Sequence, residues 1–167
     1  ALAWIDRVSP ENWTREIVRH QALFVTGRAT KAIDVLLKLL ESRPGELQVL
    51  QALGMRYINT GRLDDALETY REIVRIEPKS SLALAEIAWI LERKGDAKGA
   101  KEHCDLAADA LASSDDPESG GHSITGRVYV SLDEEEKGLA MLRREVELHP
   151  RSPDSYKALG LALSDLG

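Results

Sequence analysis

The chain has 167 residues, of which 30% are charged and only 5% aromatic, and its formal net charge is −6. A partner held mainly through phosphate contacts needs clustered Lys and Arg, so this balance argues against nucleic acid. Cys104 is the sole cysteine, which allows no internal disulfide, and no apolar run approaches the ~20 residues that cross a bilayer, which argues against membrane insertion. The first residues also lack the basic-then-apolar order of a secretion signal, and the compartment stays open.

In chain order, Ser9-Pro10-Glu11 is a helix start, with Ser9 able to cap and Pro10 at the first helical position. The spacing predicts a helix from about Pro10 to Val25 whose stripe is Trp13, Ile17 and Phe24. Glu16, Arg19, His20 and Leu23 stand where the later helices of this type place their buried residues, so this helix is expected either to pack at a shifted angle or to need a preceding repeat to pack against. Gly27 marks a turn. From Thr30 to Glu41, Ala32, Ile33, Leu36, Leu37, Leu39 and Leu40 form an apolar stripe wide enough to touch two neighbours. Leu50, Leu53, Gly54 and Tyr57 then open another helix, with Gly54 expected at a close helix approach. Gly61 is a turn, and Asp64 and Asp65 sit in the first turn of the next helix, where carboxylates complement its dipole.

From Ser81 the pattern returns with Leu84, Ile87, Ala88 and Leu91, then Gly95, Ala100, Cys104 and Ala107. Cys104 takes the slot of a large buried residue, which predicts an inert core thiol rather than a reactive one. No proline stops this helix before about Ser113. Residues 115–118, polar and proline-bearing, read as an insertion. Gly120-Gly121 reads as loop, and Thr125-Gly126-x-x-Tyr129 resumes the pattern, with Asp133 where a glycine and Gly138 where an alanine is expected. Glu134, Glu135 and Glu136 read as an acidic first turn, and a last helix begins at Pro153 with Tyr156, Leu159, Gly160 and Leu163.

The spacing is regular. Pro10, Pro44 and Pro78 are 34 residues apart, and so are Gly27, Gly61 and Gly95, and Ala32, Ala66 and Ala100. Pro150 returns in phase only after four extra residues. Helix, tight turn and helix at this period resemble the tetratricopeptide repeat family, carried by Leu50, Leu53, Gly54, Tyr57, Gly61, Ala66, Tyr70 and Pro78. The resemblance implies an all-α, right-handed solenoid of antiparallel helix pairs. Its expected organisation is the tail of a preceding repeat (1–12), repeats at 13–46, 47–80 and 81–114, the insertion at 115–118, a repeat at 119–152, and the first helix of a fifth at 153–167. The phase of Pro10 makes the chain, on this reading, a fragment of a longer protein.

No constellation of nucleophile, acid and base points to catalysis, so the expectation is a non-enzyme without cofactor. His20, His103, His122 and His149 are scattered without metal-ligand spacing. The resemblance implies instead a concave wall formed by the first helix of each unit, fit for an extended peptide or protein segment. Carried over, that wall presents Gln48, Gln51, Met55 and Asn59, then Glu86, Trp89 and Arg93, then Arg127, and finally Lys157. Ile17 and Gln21 are its members in the first unit, and Leu161 joins Lys157 in the last. Some family members hold the terminal carboxylate of heat-shock chaperones with Lys and Asn; the corresponding Ile17, Gln21, Ala85 and Glu86 argue against that ligand. Two further readings stay open: a scaffold or regulatory region of a larger enzyme or of a cell-envelope or polysaccharide assembly protein, and self-assembly into a homo-oligomer through exposed end repeats.

Overall fold

The computed structural model describes residues 10–113 and 121–166, and every regular element among them is an α-helix. These are α1 (Pro10–Val25), α2 (Ala29–Ser42), α3 (Leu47–Asn59), α4 (Leu63–Ile76), α5 (Ser81–Arg93), α6 (Ala97–Ala112), α7 (Gly121–Ser131), α8 (Glu135–Leu148) and α9 (Pro153–Leu166). Helix α6 runs for 16 residues, as the absence of a stopping proline predicts. Ser9 and the 115–118 insertion lie outside the described residues. Gly121 is not loop, as expected from Gly120-Gly121, but the buried first residue of α7, where a Cβ would come within 3.2 Å of Leu111.

The turns give the repeating step a backbone cause. Gly27, Gly61 and Gly95 have φ of 75°, 74° and 82°, a region that costs residues with a Cβ. Asp133, four residues late in phase, takes the same place with φ 61°. In each turn the next amide donates back to a carbonyl of the finished helix: Arg28 to Leu23, Arg62 to Tyr57, Asp96 to Leu91 and Glu134 to Tyr129, at 2.8–2.9 Å. The left-handed residue thus satisfies carbonyls that a helix end leaves orphaned and turns the chain sharply into the following helix.

The chain divides between Ile76 and Glu77 into two compact units. In the first, α1 packs on α2, α2 on α3 and α3 on α4. Its core includes Ala32, Leu36, Val49, Leu53, Tyr57, Ala66, Tyr70 and Ile73. Burying each large aliphatic side chain contributes about 1.5–3 kcal/mol. Gly54 brings α3 and α4 together, since a Cβ there would lie 2.7 Å from the Tyr70 ring. His20, which interrupts the expected stripe of α1, is buried. Ile17, Leu23 and Phe24 are half-buried and Arg19 is exposed, so α1 turns part of each set inward.

In the second unit α5 packs on α6 and α7, α6 on α7, α7 on α8 and α9, and α8 on α9. Ile87, Ala88, Ile90, Cys104, Ala107, Val128, Tyr129 and Leu142 are among its buried residues. Gly138, standing where alanine was expected, has a packing reason. A Cβ there would meet Val130 at 2.5 Å and the Gly126 carbonyl at 2.7 Å, and a Cβ on Gly126 would meet the Gly138 carbonyl at 2.8 Å. The backbones of α7 and α8 therefore approach closely at Gly126 and Gly138, where there is no room for a Cβ.

Candidate functional site

Helices α5 and α7 are the first members of their pairs in the second unit, and α5 packs on α7 and α7 on α9. Their shared side carries a cleft of about 570 Å³. Trp89, Glu92 and Arg93 come from α5, Arg127, Val130 and Ser131 from α7, and Leu161, Asp165 and Leu166 from α9. Asp133 from the turn and Glu135 from the first turn of α8 complete the lining, with Ala158 and Ala162 among the small residues. Trp89 is half-buried, whereas Leu161 is 54% exposed, which leaves an apolar surface open to solvent.

Of the expected wall residues, Trp89, Arg93, Arg127 and Leu161 thus meet in one cleft. The Arg93 guanidinium lies 5.5 Å from the centre of the Trp89 ring, a cation–π arrangement that holds its charge against the ring. Glu86, one helical turn before Trp89 on α5, is half-buried. Burial pushes its carboxyl up from the usual 4.5 to about 7, and the Arg127 charge offsets only part of that. Lys157 is exposed on α9 and is not part of the cleft lining. Asp133, Glu135 and Asp165 were not expected in the wall.

In the first unit, Gln48, Met55 and Asn59 are exposed and Gln51 half-exposed along α3, with Met55 46% open to solvent. Neighbouring Arg56 is buried, its guanidinium 3.8 Å from the centre of the Phe24 ring and donating to Gln21 Oε1 at 3.0 Å. Gln21, expected in the wall, is therefore committed to Arg56. Beside this cation, burial foremost and then the Arg56 charge hold the His20 imidazole below its usual value.

Away from the cleft, Cys104 is fully buried and its thiol is pushed up to about 12, chiefly by burial, as its slot predicts for an inert residue. The histidines are less scattered in space than along the chain. His122 on α7 and His149 after α8 both come within 4.0 Å of the buried Glu145 carboxylate, without reaching hydrogen-bond distance. Burial holds the His122 imidazole below its usual value, and Arg144 and His149 add to the effect while Glu145 opposes it. Among the described residues no group of three or more His, Cys, Asp or Glu is arranged to hold a metal ion. No helix there is long and apolar enough to cross a membrane.

Antiparallel helix pairs, each closed by the same left-handed turn, define a helical-repeat protein. Residues 52–115 match the family model described as tetratricopeptide repeat. The chain is a small tetratricopeptide-type array, and solved structures similar to it share that fold. One is TTC0263, a thermophilic tetratricopeptide protein in Thermus thermophilus: 22% identity, a TM-score of 0.75, and coverage of 92% of this chain and 82% of that one. Another is the first tetratricopeptide domain of Spaghetti (RPAP3) bound to the HSP90 peptide SRMEEVD, with 21% identity, a TM-score of 0.58, and coverage of 72% and 95%. Among curated proteins, the human protein O-mannosyl-transferase TMTC1 is 24% identical over 109 residues. Those residues are 64% of this chain and 12% of that protein.

Proposed function

We propose that the chain is a noncatalytic interaction module, and that the cleft across α5, α7 and α9 holds an extended segment of another protein. The observation that carries this reading is the cleft itself. A half-buried Trp89 and an exposed Leu161 are set beside the charges of Arg93 and Arg127, which is the mixture of apolar anchor and polar rim found in binding sites. Gln48, Gln51, Met55 and Asn59 are proposed as a second contact patch on α3, with side-chain amides suited to a peptide backbone and a thioether that adapts to varied side chains. Glu86 acts on the segment through Arg127, and Lys157 supplies a charge at the rim. The solved complex of the Spaghetti domain with a peptide supports this mode of use for the fold; the ligand of that domain is not carried over.

The test is selection of a displayed random peptide library on the whole chain. Trp89→Ala should lower the affinity of selected peptides at least about tenfold, a hot-spot effect, while the circular dichroism melt shifts by only a few degrees. A large loss of helicity would make Trp89 a core residue, and unchanged affinity would place the peptides elsewhere. A second reading, favoured by the likeness to TMTC1, is that the array serves as the scaffold of a larger enzyme. A full-length coding sequence without a catalytic domain would remove it.

A further inference from the structure

Four carboxylates and two guanidiniums line the cleft of the second unit, and their partners differ. Arg93 is held over the Trp89 ring, whereas Arg127 is exposed and only weakly offsets the charge of Glu86. Glu92, Asp133, Glu135 and Asp165 have no cation of their own: among the described residues none of the four is ion-paired. Their neighbour Glu134 shows the contrast, since Lys101 at 2.8 Å and Lys137 at 3.1 Å both hold it. Charges crowded around one cleft add to a common field, and a ligand of opposite sign both enters faster and relieves their mutual repulsion.

We infer that the occupant of this cleft is a cationic chain segment, with an apolar side chain set against Trp89 and Leu161 and Lys or Arg side chains set among the four unpaired carboxylates. The inference rests on the reading of the cleft as a site for an extended segment. An apolar anchor alone would bind indiscriminately; the carboxylates give the site its sign. Their excess over the two guanidiniums also disfavours an acidic segment, which would meet four carboxylates for two cations.

Two acetylated and amidated peptides test this, identical in length and in the placement of Leu and Gly, one with Lys and the other with Glu at every charged position. Each is titrated into the whole chain by calorimetry. The Lys peptide should bind at least about tenfold more tightly, and the advantage should shrink as ionic strength passes about 0.15 M. A variant with Asp133→Asn, Glu135→Gln and Asp165→Asn should lose most of the preference and keep its helicity, because Asn tolerates the left-handed backbone of Asp133. Trp89→Ala should weaken the Lys peptide as well. Equal or tighter binding of the Glu peptide, lost in Trp89→Ala, would overturn the cationic assignment and leave the cleft as a segment site. Binding of the Lys peptide that ignores both variants would place it elsewhere and overturn the assignment too. Binding of neither peptide would overturn both.

Discussion

Glycines at equivalent positions do different work in this chain, and alanine substitutions separate them. At Gly54 a Cβ would come within 2.7 Å of the Tyr70 ring, and at Gly138 it would meet the Gly126 carbonyl at 2.7 Å. Gly54→Ala and Gly138→Ala should each cost about 1–3 kcal/mol in denaturant melts, as overpacking does. Gly160 repeats the position of Gly54, but an added Cβ there would meet nothing within 4 Å, so Gly160→Ala should instead stabilise by about 0.5–1 kcal/mol through helix propensity. Glu86 gives a test in pH. Its carboxyl binds a proton more tightly in the folded chain, at about 7, than in the unfolded chain, at 4.5. Stability should therefore fall as pH rises from about 4.5 to about 7 and level off above. Glu86→Gln should remove that slope and leave the protein about 2 kcal/mol more stable than the parent at pH 8.

At the scale of elements, the sequence is most legible where backbone geometry repeats. The step between Gly27, Gly61 and Gly95 marks three left-handed turns between paired helices, and the four-residue lag puts Asp133 in the same role, which its φ of 61° bears out. The burial of Cys104 follows from its slot, and Trp89, Arg93 and Arg127 from the face of each first helix. The rest of the site is hidden for a physical reason. Helical periodicity reads one face of one helix, whereas Asp133 enters from a turn and Glu135 from the start of a second helix. The burial of Arg56 is equally hidden, because only Phe24 and Gln21 on another helix make that position habitable for a guanidinium. That arrangement predicts acid sensitivity. The His20 imidazole is held below its usual 6.5, so the unfolded chain takes up its proton first, and the stability His20 contributes is present above pH 6.5 and lost as pH falls below it. His20→Gln should flatten this acid limb in melts recorded between about pH 7 and pH 5.

At the scale of the molecule, the two units share one construction, helix pairs joined through a left-handed turn, yet they carry different surfaces. The first exposes amides and a thioether along α3; the second gathers an aromatic ring, two guanidiniums and four carboxylates around a cleft. The repeat fixes where first helices lie and leaves their outward residues free to vary, so the fold supplies a wall and the individual side chains supply its selectivity. The most direct test is an amide and indole chemical-shift titration of the whole chain with a library-selected peptide. The account predicts perturbations that centre on Trp89, Arg127, Val130 and Leu161 with helicity unchanged. Perturbations confined to α6 and α8, with the Trp89 indole unmoved, would contradict it.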